Sequence, residues 1–283
     1  MQRLTQVRTF DDGQDQWRMI DAAPDEAFRC EVQAYGWWSE STASFDTRRE
    51  LAGTEGTLII NLASDLELVD AKGHEVRLRA GEGFVAGLAQ GTSLSRSTGA
   101  MEGVHMRAPL SSLARIAGTS IAELTDRVVP ISNLPDLRKL HWGERLLDAR
   151  GDCERWALLD HFVGKRLESS TLACPAIAHI ARGLRSGIRV EALAAELDWS
   201  RKRLARTFAQ ATGLEPRAFA GLARFERFAR QLQAEPCLSL ADAAVAAGYA
   251  DQSHLTREVS RYAGTTPAAL RRRLLPAGGG VRD

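Results

Sequence analysis

Cysteine is scarce in this chain and long apolar runs are missing. Four cysteines occur in 283 residues, Cys30, Cys153, Cys174 and Cys237, with no Cys-x-x-Cys pair and no histidine cluster beside them. That spacing excludes a zinc finger or ribbon and a disulfide framework, and it fits reduced thiols. No apolar run reaches the roughly 18 residues of a membrane span, and the first residues lack the apolar core of a secretory signal. No membrane partner is expected, and the expected location is cytoplasmic. The six histidines, His74, His105, His141, His161, His179 and His254, are isolated from one another, so no metal site and no cofactor is expected. "GEGFVAG" (81–87) has the glycines of a phosphate loop, but it runs into a strand-like stretch rather than a helix. No catalytic constellation is left, and the chain is not read as an enzyme.

Net charge is also small, +1 overall, but it is unevenly distributed. Residues 1–175 hold 20 basic and 26 acidic side chains, a net of −6, whereas 176–275 hold 16 and 9, a net of +7. The basic charge belongs to the last third, where an anionic partner is the first candidate.

The first hundred residues show strand patterning. Leu66 and Leu68 alternate with Glu67, Val76 and Leu78 alternate with Arg77, and Ala71-Lys72-Gly73 lies between as a turn, which predicts a hairpin. Further short strands at even spacing point to a sandwich or barrel. From Pro109 the period changes to about 3.6. Ser111 or Ser112 can cap a helix ending at Gly118, and two amphipathic stretches come after it, one carrying Leu137, Leu140 and Leu147, the other Trp156, Leu159, Val163 and Leu167. A linker is expected at "ESSTLACPAI", with Pro175 opening the next helix. The expected division is a β-rich domain with closing helices over 1–170, an all-α domain over 171–275 and a disordered tail over 276–283. Much of the aromatic content, Trp17, Phe28, Tyr35, Trp37, Trp38, Phe45 and Phe84, lies in the first domain. These side chains either fill a core or, for Tyr35, Trp37, Trp38 and Phe84, line an effector pocket.

An internal repeat dominates the last third. "LAAELDWSRKRLARTFAQATGLEP" (193–216) returns as "AAVAAGYADQSHLTREVSRYAGTTP" (243–267). Leu204, Phe208, Gly213 and Pro216 match Leu255, Val259, Gly264 and Pro267 at a shift of 51, while Ala194 and Trp199 match Ala244 and Tyr249 at a shift of 50. The second turn has therefore gained Ala250. Each copy reads as a helix, a polar turn and a second helix with a capping residue, Ser200 or Asp251, which is helix-turn-helix patterning. With Leu204, Phe208 and Leu255, Val259 facing inward, the outward faces carry Arg201, Lys202, Ala205, Arg206 and Gln252, Ser253, Thr256, Arg257. Arginine can pair with guanine, glutamine with adenine, and threonine can touch a thymine methyl. Between the copies, "PRAFAGLARFERFARQLQAE" reads as a helix stopping before Pro236 and spanning ~27 Å, close to the ~34 Å between major grooves on one face of a duplex. Arg224, Arg227 and Arg230 on it, with Arg271, Arg272 and Arg273 after the second copy, are candidates for phosphate contacts.

"LADAAVAAGYADQSHLTREVSRYAGTTPAALRR" (240–272) resembles the signature of the AraC/XylS transcriptional regulators, and the resemblance extends over roughly 176–275. It implies a sequence-specific regulator that reads a double-stranded operator with Lys202, Ala205, Arg206, Gln252, Ser253, Thr256 and Arg257. Ser200, Arg201, Arg224, Arg227 and Arg271 would contact phosphate. Four positions depart from the family pattern: Ala205 can make only an apolar contact, Ala243 replaces a larger aliphatic residue, and Phe228 and Gln231 replace the usual Ala and Leu of the linker helix. Residues 84–130 resemble the barrel or cupin-like sensor domains of one subgroup, which implies a small-molecule effector, a homodimer, or both; RNA polymerase is a further implied partner. The rival reading is an enzymatic first domain, of the DNA-repair type or a barrel metalloenzyme, targeted by the DNA-binding module. The lack of clustered cysteines argues against the repair version.

Overall fold

The computed structural model describes residues 3–44, 46–97, 100–172, 175–235, 237–275 and 280–282. Phe45, Cys174 and Pro236 lie outside these segments. The strands are β1 (Thr5–Asp11), β2 (Asp15–Ala22), β3 (Ala34–Thr42), β4 (Thr47–Glu50), β5 (Gly56–Asn61), β6 (Leu66–Val69), β7 (Glu75–Leu78), β8 (Gly83–Ala86), β9 (Ser93–Ser97), β10 (Ala100–Ala108), β11 (Val128–Pro130) and β12 (Val281–Arg282). They form a seven-stranded sheet, β1-β2-β3-β10-β5-β8-β11, and a five-stranded sheet, β12-β4-β9-β6-β7. The arrangement is cupin-like, but the barrel is not closed. The larger sheet ends at β1 and at the short β11, where Pro130 has no amide hydrogen to extend the ladder.

The hairpin expected from period-2 patterning is β6–β7, with Leu66 opposite Leu78 and Leu68 opposite Val76. Leu66, Leu68 and Leu78 are buried while Glu67 is exposed, so alternation sets the register. The Asp70 carboxylate accepts the backbone N–H groups of Lys72 and His74 and so holds the turn.

The helices are α1 (Leu110–Ala117), α2 (Ile121–Leu124), α3 (Pro135–Arg138), α4 (Trp142–Leu147), α5 (Asp152–Ser169), α6 (Pro175–Arg185), α7 (Val190–Glu196), α8 (Arg201–Thr212), α9 (Pro216–Ala234), α10 (Leu240–Ala247), α11 (Gln252–Ala263) and α12 (Pro267–Arg273). Helix α1 ends at Gly118 (φ 70°) as expected, but its cap is Pro109, not a serine. Ser112 instead donates its hydroxyl to Glu31. The stretch with Leu137, Leu140 and Leu147 is not one helix. His141 (φ 51°) divides it into α3 and α4, and Leu147 is 46% exposed while Trp142 and Leu146 take the buried positions. In α5, Trp156, Leu159 and Val163 are buried and Leu167 packs against them.

One cluster fills the first domain, with Ile20, Tyr35, Leu58, Ile60 and Met106 from the large sheet meeting Trp142, Trp156 and Phe162 from α4 and α5. The other large cluster holds α6–α12 together and also takes in Ala52, Leu88, Leu110, Ala114 and Ile121, so the core crosses the expected boundary at residue 170. Thr125, just after α2, donates its hydroxyl to the carbonyl of Thr212 at the end of α8 (2.6 Å), and Lys72 donates to the carbonyl of Thr125 (3.2 Å). In the segment expected to be disordered, Val281 and Arg282 pair with Arg49 and Arg48 of β4. Val281 is 2% exposed, and its burial in the second cluster explains the order there.

Candidate nucleic-acid interface

Each repeat folds into the expected unit. In the first, α7 and α8 flank a turn in which Asp198 takes a left-handed conformation (φ 51°), and Ser200 caps α8 by accepting the N–H of Arg203 (3.1 Å). In the second, α10 and α11 flank a turn with Gly248 at the matching position (φ 90°), and Asp251 caps α11 by accepting the N–H of His254 (2.7 Å). Leu204, Phe208, Leu255 and Val259 are buried, which fixes the rotation of both second helices. Gly213 and Gly264 end them in the left-handed conformation (φ 73° and 64°).

The rotation puts the candidate base readers outside. Lys202, Arg206, Gln252, Ser253, Thr256 and Arg257 are exposed, and Ala205 is half-buried. Among the described residues, the side chains of Lys202, Arg206, Gln252 and Arg257 have no hydrogen bond or ion pair, so their donors are free for a partner. Thr256 donates its hydroxyl to the carbonyl of Gln252 (2.8 Å), which leaves its methyl and one lone pair outward. Arg201 is exposed and 3.6 Å from Glu191, and Arg203 stacks over Trp199 with 4.4 Å between the guanidinium carbon and the ring centre. His254 turns inward instead, half-buried against Tyr249 and 3.4 Å from Glu258. Burial, with the Glu258 charge adding to it, raises the Tyr249 phenol above the usual range.

Ser200 and Arg201 lie beside the readers, but the structure places the other three expected phosphate ligands differently. Arg224 pairs with Glu258 (3.2 Å) and lies over Tyr249. Arg227 donates to the carbonyls of Arg185 and Ala247, and Arg271 donates to the carbonyl of Leu238 (2.7 Å). The cause is the burial of α9, whose Phe219, Leu222, Phe225, Phe228, Ala229 and Leu232 are all buried and leave only a narrow outer strip. Ala243 and Phe228, small and large where the family has large and small, are both fully buried in the same cluster. Gln231 brings a carbonyl oxygen into this core, where it is buried without a hydrogen-bond partner.

The four aromatic residues proposed for an effector pocket pack into the sheet domain and none of them lines the cleft described below. Tyr35 is fully buried and donates to Asp160 (2.9 Å). Trp37 donates to Glu102 (2.9 Å), Trp38 lies against His105, and Phe84 belongs to the small core of β6 and β7. A cleft of about 690 Å³ opens elsewhere, between the first domain and α6 and α9. Leu110, Ile121 and Ile177 give it apolar walls; of its arginines, Arg115, Arg185 and Arg230 are paired with Glu31, Glu55 and Glu226, while Arg182 has no ion pair among the described residues. Sequence reasoning missed it because its walls come from segments more than a hundred residues apart.

Residues 193–273 match the family model described as a helix-turn-helix domain, the stretch that spans both repeats. This chain carries a helix-turn-helix domain in its last third. The whole fold extends the likeness. The apo structure of a single-residue variant of ToxT from Vibrio cholerae superposes with a TM-score of 0.53 at 17% identity, covering 85% of this chain and 98% of that one. A 1.65 Å ToxT structure from the same organism gives 0.53 at 14%, covering 84% and 98%. ToxT bound to (E)-4-(8-methylnaphthalen-1-yl)but-3-enoic acid gives 0.51 at 15%, covering 82% and 96%. No curated protein matches the chain in sequence. The chain thus shares with ToxT a two-part fold in which a cupin-like sheet domain precedes the paired units. No helix among the described residues is long and apolar enough to cross a membrane.

Proposed function

We propose that this protein is a sequence-specific transcription regulator of the AraC type, whose α8 and α11 enter successive major grooves of one double-stranded operator. The observation that carries the reading is the outward, unpaired state of Lys202, Arg206, Gln252 and Arg257 at the leading ends of two duplicated helices. Ala205, Ser253 and Thr256 complete the reading faces, with Ser200 and Arg201 on phosphate. Selection of bound DNA from a random pool tests it. The expected result is one bipartite motif bound with a steep salt dependence; retention of no preferred sequence would overturn the assignment.

The cleft between the domains supports modulation by a small molecule. Its apolar walls and the unpaired Arg182 suit a compact amphipathic carboxylic acid, the class to which the ligand of the ToxT complex belongs. Melting temperature measured against a panel of such acids checks this, since a ligand of the folded state raises it. RNA polymerase and a second copy of the chain are the protein partners such a regulator calls for. The fold and domain type favour this role over the enzymatic alternative, and the cytoplasm is where it would act.

A further inference from the structure

A helix end leaves four carbonyls without intrahelical partners, and those of α6 find theirs in two ways. Ser186 N–H bonds the carbonyl of Arg182, Ile188 N–H that of Gly183, and Gly187 N–H that of Leu184. The remaining one, Arg185, accepts Nη1 of Arg227 at 2.5 Å. Nη2 of the same guanidinium reaches the carbonyl of Ala247, the last residue of α10, at 3.3 Å. One cation from the middle of α9 therefore closes the carboxyl-terminal ends of two helices, where the helix dipoles favour positive charge. Helix α6 packs with the first helix-turn-helix unit, whereas α10 is the first helix of the second.

We propose that Arg227 is a staple between the two helix-turn-helix units, a positioning residue that fixes the distance at which they read one duplex. Its neighbours on α9 have other attachments: Arg224 pairs with Glu258 in the second unit, and Arg230 pairs with Glu226 of its own helix. Arg227 alone among these three reaches helix ends on both sides of the rod. Its planar fork suits the task, because two N–H groups diverge toward two acceptors, which a lysine ammonium on a flexible stem does not reproduce. The cleft beside it is open, so water can reach the freed carbonyls when the side chain is shortened, and the variant is expected to fold. Glu226, Tyr249, Arg224 and Arg230 are the titratable groups around it, and burial with the nearby Arg224 presses its pKa below the usual range.

The inference rests on the bipartite reading above for its consequence, but its first test needs no DNA. Spin labels on Lys202→Cys and Gln252→Cys, in full-length protein with Cys30, Cys153, Cys174 and Cys237 changed to serine, report the separation of the two leading ends. One narrow distance is expected, and Arg227→Met should broaden it, with Arg227→Lys falling between. If the distance is equally narrow with methionine, or with lysine should the methionine variant not fold, the staple is refuted even if DNA binding holds. In the random-pool selection, Arg227→Met should keep both half-site motifs but spread their spacing. Affinity for the fixed-spacing site should drop about tenfold as the second contact loses effective concentration. The salt slope should stay unchanged; a slope lower by about 1 at unaltered spacing would instead make Arg227 a phosphate contact.

Discussion

The two helix-turn-helix units share a scaffold and differ in chemistry. Both have a capped second helix, two buried apolar residues one turn apart and a left-handed glycine at the end. The first leads with Arg201, Lys202 and Arg206, the second with Gln252, Ser253, Thr256 and a single arginine, Arg257. Cations bind any phosphate strongly and read guanine; amides and hydroxyls bind weakly but discriminate among bases. On the proposed reading, the first unit would supply adhesion and the second choice. The turns differ as well. Trp199 is half-buried and carries Arg203 on its face, whereas the matching Tyr249 is buried between Phe228 and His254. The extra residue Ala250 accompanies this deeper anchoring.

The largest way to break the comparison is to remove the shared scaffold from one copy. Phe208→Ala deletes a fully buried ring packed edge-on against Phe219 and should cost about 3–5 kcal/mol of stability, read as a lower denaturant midpoint. Next is the reading chemistry. Arg206→Ala and Arg257→Ala should each cost about 1–3 kcal/mol in binding a selected site and relax preference at one base pair, measured by mobility shift on single-base variants. Charge separates the two units more sharply: Lys202→Ala should lower the salt slope by about 1, whereas Gln252→Ala should change preference and leave the slope alone. The caps come third, with Ser200→Ala and Asp251→Ala each expected to cost about 1 kcal/mol in thermal unfolding. The smallest effect sharpens the comparison. Asp198→Gly gives the first turn the residue of the second, and relief of its left-handed backbone should stabilise the protein by about 0.5 kcal/mol or more.

The repeat, its caps and the β6–β7 hairpin were legible because each depends on spacing within a few residues. Ser200 and Asp251 each cap the helix that begins at the very next residue, and Leu66 and Leu78 face one side by alternation alone. Arg224, Arg227 and Arg271 were not legible as internal ligands, because whether a guanidinium meets a phosphate or a helix-end carbonyl depends on which helix termini come near. Ser112 failed as a cap for a similar reason, since Glu31 competes for its hydroxyl from a distant segment. Tyr35, Trp37, Trp38 and Phe84 have the composition of a pocket, but composition carries no information on which side of a sheet each ring falls. Val281 sits beyond a glycine run with no periodicity, and its order comes from distant partners, strand β4 and the second apolar cluster.

The apolar cluster that spans residues 52 to 281 has a practical side. A fragment beginning near residue 171 would leave bare the faces that Leu110, Ala114 and Ile121 cover, and it would stick to itself or to other proteins. The paired units should therefore not be portable as a separate piece, and heating should melt them together with the part of the sheet domain to which they are fused.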